Sequence, residues 1–251
     1  MPEVGLADGL LENEQLDDLL TGGRVILQKK DGFRYGTDAV ALAQFARIGV
    51  NDNVLDIGTG GGILPMLLSL KGGAGFMGID IVPEMVDMAN RSAKMNGLTD
   101  RVRFICADVR KLPEVFAGEK FDVVVTNPPY KKAGSGIPSK NYNAYVARHE
   151  ALCTLEDVLA GAASVMKTCA RLYMVNRPDR LCDAMELMRR YGIEPKRLRF
   201  VHADPLKAPV MFLVCGVKDA GSELIVEAPQ VLSGNGGTVG FSDRKELECT
   251  L

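Results

Sequence analysis

No stretch of the 251-residue sequence approaches the roughly 18 consecutive apolar residues of a membrane span, so no segment reads as transmembrane. Positive charge is missing from the start of the chain. No Lys or Arg precedes Arg24, and residues 1–20 carry six acidic groups, a pattern unlike a signal or transit peptide. Cysteine is scattered. The six, at positions 106, 153, 169, 182, 215 and 249, form no C-x-x-C pair, which points away from a zinc site or a secreted disulfide framework and toward a reducing cytoplasm. No metal site is expected. A net basic surplus is absent too: the formal charge of -2 excludes a globally basic nucleic-acid binder and leaves only local patches for that role.

What is present is enough apolar residue, 47% of the chain, to bury the core of one large α/β domain or two small ones. The most organised stretch runs from Val54 to Gly62. A short apolar run ends in Asp56, glycines alternate through Gly58, Gly60 and Gly62, and Ile63 to Leu68 then reads as a helix. Strand, tight turn and helix start make a nucleotide-type cofactor site in an open α/β sheet. A side chain at the glycines would keep the backbone from approaching a ligand. A dinucleotide fingerprint needs a third glycine at position 63, where Ile63 stands. The pattern D-x-G-x-G-x-G resembles motif I of the S-adenosylmethionine (SAM)-dependent methyltransferases, where the acid and glycines, with Thr59 among them, surround the methionine end of the cofactor.

In chain order, residues 1–20 suit a short amphipathic segment or an arm, and Val25 to Lys30 a strand. Phe33 to Tyr35 reads as a further extended piece. Gly36, Thr37 and Asp38 precede an alanine-rich helix, Ala39 to Ala46, for which Thr37 is the expected N-cap. Gly75 to Asp80 is a second buried strand. Its terminal Asp80, followed by Ile81, suits two ribose hydroxyls. Pro83 opens a helix with an inward stripe of Met85, Met88, Ala89, Ala93 and Met95, ended by Asn96 and Gly97. Val102 to Cys106 is a third strand. Asp108, beside Val109, fits either an acceptor for an adenine amino group or an ordinary turn.

Phe121 to Thr126 is the fourth strand, and it delivers Asn127, Pro128, Pro129 and Tyr130. Two prolines cannot continue a strand ladder, so they form a rigid loop at the sheet edge where open α/β folds bind ligands. The Asn side chain and the proline carbonyl can accept both hydrogens of a planar amine, and Tyr130 can stack on its ring. An adenine amine is a poor nucleophile because its lone pair is delocalised. Restraining its hydrogens localises that pair, so the expected catalysis is orientation and preorganised hydrogen bonding, with no His or Cys needed.

These residues resemble the SAM-dependent amino-methyltransferases with an (N/D)PP(Y/F) motif, which methylate nitrogen on adenine, guanine or glutamine. Phe33 to Asp38, Asn127 to Tyr130, Ala147 to Glu150 and Val201 to Pro205 are together similar to the bacterial tRNA1(Val) (adenine37-N6)-methyltransferase family, from about residue 24 to about residue 230. The resemblance implies a Rossmann-like α/β fold. Its sheet would be seven-stranded and mostly parallel, with an antiparallel last strand and helices on both faces. It implies SAM as cofactor, contacted by Tyr35, Gly36, Thr37, Asp38, Asp56, Gly58, Thr59, Gly60, Gly62, Asp80, Ile81, Asp108, Val109 and Asn127. The catalytic loop is Asn127 to Tyr130. The chain divides into an N-terminal extension (1–50), a methyltransferase core (51–220) and a C-terminal extension (221–251).

Between residues 131 and 148 lie Lys131, Lys132, Lys140 and Arg148, no acid, and interleaved Tyr142 and Tyr145. A basic loop with rings beside the catalytic motif suits tRNA, by neutralising phosphates and stacking a splayed base; a solvated loop is the plainer alternative. The helix Pro178 to Tyr191 is expected to bury Leu181, Met185 and Met188 and to expose Arg180, Arg189 and Arg190, as a solvated face or a supplementary tRNA footprint. Two other functions remain open: a protein glutamine-N5 methyltransferase acting on a release factor, and a SAM-binding protein without transfer activity. Only about 50 residues precede the first core strand, which speaks against the former.

Overall fold

The computed structural model describes residues 10–19, 22–30, 36–128 and 153–232. Its strands are apolar at both parities, as strands covered on both faces must be. In β3 (Asn53–Ile57), Val54 joins one hydrophobic cluster while Leu55 and Ile57 join another. The same division separates Val123 and Val125 from Val124 in β6 (Phe121–Thr126). Helices α1 (Thr37–Phe45) and α2 (Ile63–Leu68) bury their apolar residues in the first cluster, as does α3 (Pro83–Met95) through Val86, Ala89 and Ala93, while its Met85 and Met88 pack on Leu27. Helices α4 (Leu112–Val115), α5 (Leu155–Val165) and α6 (Leu181–Arg190) bury theirs in the second.

Between these layers lies one sheet. With β4 (Gly75–Asp80), β5 (Val102–Cys106), β7 (Met166–Asn176), β8 (Ile193–His202) and β9 (Met211–Lys218), its order is β5-β4-β3-β6-β7-β9-β8. Neighbours are parallel except at β9, which runs antiparallel to both β7 and β8. This is the seven-stranded, mostly parallel sheet expected from the sequence. Two short strands, β10 (Ile225–Val226) and β11 (Gln230–Val231), extend it along the outer edge of β8 and bring the sheet to nine strands. From β3 the chain winds outward through β4 and β5, then returns to the other side of β3 as β6. That reversal opens a crevice at the carboxyl ends of β3 and β6.

Residues 14–18 of the N-terminal segment are a strand rather than an arm. This strand, β1 (Glu14–Asp18), pairs antiparallel with β2 (Val25–Lys29). The hairpin is held on α3 by polar side chains: Ser92 Oγ accepts from Leu27 N at 3.0 Å, and Asn96 both accepts from Val25 N and donates to Val25 O. The free edge of β2 is thereby satisfied. Arg91 pairs with the carboxylate of buried Glu14, which holds that acid below the usual range.

Three expectations are corrected. Thr37 is exposed at the first helical position, and Gly36, in extended conformation, is the N-cap of α1, with no side-chain capping bond. Met95 leaves the apolar stripe of α3 and is 40% exposed. Arg180 is largely covered, with 13% of its side chain exposed, and faces Asp183. Among the described residues no helix is long and apolar enough to cross a membrane.

Gly62, at φ +86°, is the left-handed N-cap of α2, and a Cβ there would lie 2.5 Å from Phe104 Cζ and 3.1 Å from Ala89 Cβ. Gly62→Ala is therefore expected to destabilise the fold by about 2–4 kcal/mol, combining backbone strain with overpacking. Urea unfolding measures this, and a loss under about 0.5 kcal/mol would mean that the loop relaxes freely.

Candidate functional site

The crevice is built on the loop that follows β3. Gly58, Gly60 and Gly62 have φ of +74°, +52° and +86°, which L side chains rarely adopt. Those conformations turn the backbone toward β4, where Ile79 O accepts from Gly58 N at 3.0 Å and from Thr59 N at 2.9 Å. The Asp80 carboxylate ties down the rest: Oδ2 accepts from Gly60 N at 2.8 Å and Oδ1 from Val82 N at 3.0 Å. A Cβ on Gly58 would meet nothing within 4 Å, so the loop backbone lies open to the crevice there.

A cavity opens beside this loop. Ile57, Gly58 and Ile79 to Ile81 form one wall, Ala107 to Val109 a second, and Thr126, Pro128, Cys153 and Val158 close it. The walls are apolar and narrow, with Asp80 and Asp108 as the acidic groups. These residues fit SAM. Apolar side chains suit a planar purine, and Asp80 keeps a second lone pair on each oxygen for a pair of ribose hydroxyls. Burial pushes the Cys153 thiol up to about 11, with Asp157 and Asp108 adding to the effect, so Cys153 serves as neutral wall.

Of the sequence-expected residues, Gly58, Asp80, Ile81, Asp108, Val109 and Pro128 line this cavity. Asp108 is engaged: both of its oxygens accept from the Arg110 guanidinium, and Oδ1 also from Arg110 N, which lowers its pKa. An adenine amine would share that carboxylate with Arg110. Gly62 acts through packing against Phe104 rather than at the cavity wall. Gly36 and Thr37 lie at the start of α1, outside the wall. Asp38 accepts from Asn127 Nδ2 at 3.1 Å, across 89 residues of sequence, and from Ala39 N at 2.8 Å. Tyr35, Pro129, Tyr130, Lys131, Lys132, Lys140, Tyr142 and Arg148 lie outside the described residues.

Asp56 is sealed beneath the loop. It is fully buried, and its oxygens, like Thr59 Oγ1, have no hydrogen-bond partner among the described residues. Burial pushes its pKa up to about 7; the nearby Thr59 hydroxyl opposes the shift and the Asp80 charge adds to it.

Sequence reasoning missed several wall residues. Thr126 immediately precedes Asn127, so its adjacency was a usable signal; its hydroxyl donates to Ile57 O at 2.9 Å and clamps β6 to β3 at the crevice. Cys153 and Val158 carry no local signal for this role. They arrive because α5 starts at a capping box, Thr154 with Asp157, and packs over the α4 side of the sheet.

A glycine loop and an Asn-Pro turn facing each other across the switch point define an α/β protein with a nucleotide-type cofactor cleft. The chain belongs to the methyltransferase domain family, which matches residues 48–231. A tRNA1(Val) (adenine(37)-N6)-methyltransferase of Porphyromonas gingivalis is 29% identical over 187 residues, 72% of each chain. One from Phocaeicola vulgatus is 27% identical over 182 residues, 72% of this chain and 75% of the relative. Among solved structures, a predicted O-methyltransferase from Agrobacterium tumefaciens superposes with a TM-score of 0.63 at 20% identity, covering 80% of this chain and 89% of that one. The Thermus thermophilus 16S rRNA N2 G1207 methyltransferase, solved with AdoMet and guanosine, gives 0.55 at 17% identity, over 82% and 50% of the two chains. Both share its fold.

The raised pKa of Asp56 has a sign that can be tested. The folded state holds the proton up to about pH 7 while the unfolded chain releases it near 3.8, so stability present below pH 4 is lost as pH rises to 7. The full shift is worth up to about 4 kcal/mol. Asp56→Asn removes this dependence, and its stability relative to wild type is expected to rise between pH 5 and pH 8 in denaturant titrations. Parallel pH profiles would mean that Asp56 is ionised in the fold.

Proposed function

We propose that the protein transfers a methyl group from SAM to the exocyclic N6 amine of an adenine in tRNA. The observation that carries this reading is the position of Asn127 and Pro128. They follow β6 at the switch point, with Pro128 in the wall of the cavity that Gly58 and Asp80 also line. Bound SAM supplies a methyl group activated by its sulfonium. The residues of this chain supply orientation. Asp80 accepts from the ribose hydroxyls, Ile81, Ala107 and Val109 flank the purine, and the bare backbone at Gly58 admits the cofactor close to the loop. Toward the substrate, the Asn127 side-chain oxygen and the Pro128 carbonyl accept the two amine hydrogens. The nitrogen lone pair is thereby drawn out of ring conjugation and aimed for in-line displacement.

The relatives named tRNA1(Val) (adenine(37)-N6)-methyltransferase support tRNA as substrate. In this reading Tyr130 stacks on the adenine, Lys131, Lys132, Lys140 and Arg148 neutralise phosphates, and Tyr142 stacks a neighbouring base. Cys106, Cys153, Cys169, Cys182 and Cys215 are free thiols, which agrees with a cytoplasmic enzyme.

Incubation with tritiated SAM and bacterial tRNA lacking endogenous modification, followed by nucleoside chromatography, is expected to yield labelled N6-methyladenosine. Label in a co-incubated protein extract and none in RNA would replace this reading with glutamine methylation. Asn127→Ala is expected to lower the rate by about 10²–10³-fold while SAM affinity by calorimetry is retained. Asp80→Ala acts in the opposite order, weakening SAM about 10-fold or more, since a lost hydrogen bond to a charged group costs ~1.5–3 kcal/mol. Unchanged SAM affinity in that variant would remove Asp80 from the cofactor site.

A further inference from the structure

We propose that Asp38 sets the orientation of the Asn127 amide and so decides which end of it meets the substrate amine. The inference rests on the methyl-transfer reading above and gives Asp38 a positioning role that is separate from cofactor binding. A primary amide has two nearly isosteric orientations, which only its hydrogen bonds distinguish. An ionised carboxylate accepts and never donates, so the group that Asn127 turns to Asp38 Oδ2, at 3.1 Å, is its NH2. The carbonyl oxygen is thereby turned away from Asp38. In the opposite orientation an NH2 would confront the NH2 of the substrate, donor against donor.

The two oxygens of Asp38 have different partners. Oδ1 accepts from Ala39 N at 2.8 Å, in the first turn of α1, where backbone N–H groups lack helical acceptors and negative charge is favoured. Oδ2 accepts from Asn127. Gly36 makes room for this arrangement. Its φ of -101° is open to any residue, so backbone freedom does not explain a glycine there, but a Cβ would lie 2.6 Å from Asp38 Oδ1.

These contacts predict an unusual outcome for the isosteric change Asp38→Asn. The Ala39 N–H still demands an oxygen, so the new NH2 takes the place of Oδ2 and faces Asn127. Asn127 then answers with its carbonyl and shows its own NH2 to the substrate. The expected result is a kcat lowered about 10²-fold, the loss typical of one misplaced polar group at a reacting centre, with SAM affinity, KM for tRNA and melting temperature close to wild type. In the double variant Asp38→Asn with Asn127→Asp, one oxygen of residue 127 accepts from residue 38 and the other faces the amine, so at least about 10-fold of the lost rate returns. Gly36→Ala pushes the carboxylate aside and lowers kcat without unfolding the chain.

Side-chain amide NMR of the free protein reads the same contact without substrate or cofactor. The Asn127 NH2 is expected to exchange slowly in wild type and to lose that protection in Asp38→Asn. An Asp38→Asn enzyme with wild-type kcat, a double variant no faster than Asp38→Asn, or an unprotected Asn127 NH2 in wild type would each overturn the proposal. Should wild type fail to label tRNA, the substrate reading falls, and the amide signal alone decides the role of Asp38.

Discussion

The site depends on how the loop after β3 is fastened to the end of β4. Two successive N–H groups, of Gly58 and Thr59, share the carbonyl of Ile79, and the Asp80 carboxylate takes the next available donor, Gly60 N. This requires left-handed backbone at alternate positions, which is why the glycines alternate. It also requires β3 and β4 to be paired in the register that sets Ile57 beside Ile79. Asp80 thus acts twice, bracing the loop with one lone pair on each oxygen and keeping the others for the crevice.

A sheet covered on both faces leaves few polar groups inside, and those present cluster at this end of it. Thr126 bonds across to β3, Asp80 braces the loop, and Asp56 is buried without a bonding partner among the described residues. The first two satisfy themselves within the fold. Asp56 does not, and an unpartnered buried acid is costly when ionised, so the fold holds it as the neutral acid over the lower part of the pH range. The polar groups follow the carboxyl ends of β3, β4 and β6, while the sheet interior between them is hydrocarbon.

In the proposed function, the charge distribution limits where RNA can be held. The sequence left the helix Pro178 to Tyr191 open as a solvated face or a supplementary tRNA footprint, and the arginines there and beside it are paired. Arg177 meets Asp179, Arg189 meets Glu194, and Arg190 is shared by Glu156 and Glu186. Arg197 and Arg199 converge on Glu227 while lying over the Phe45 ring, so their charge helps to hold the C-terminal segment along β8. A solvated, internally neutralised surface describes that face better than a footprint. In the proposed function the basic residues that follow Tyr130 in the sequence carry the RNA reading instead.

Local sequence was sufficient wherever one segment settles its own conformation. The strands Gly75–Asp80, Val102–Cys106 and Phe121–Thr126 and the helix Ile63–Leu68 were legible to the residue, because apolar runs bounded by glycine, proline and acids have few alternatives. The alternating glycines and the Asn-Pro pair were legible for the same reason. In the hairpin of residues 14–29 the second strand was legible and β1 was not, since β1 carries no strong strand pattern and is held by pairing with β2 and by Arg91 of α3 on Glu14. Thr37 reads as a cap because a Thr before a helix is locally plausible, whereas in the fold Gly36 is the N-cap and Thr37 the first helical residue. Above all, the partners of the functional groups came only from folding. Asp38 and Asn127 are 89 residues apart, and Cys153 and Val158 close a cavity begun at Ile57. Sequence determined the elements and the chemistry available at their ends; tertiary structure decided which of those groups meet, because such contacts are set by sheet order and packing, which no local pattern encodes.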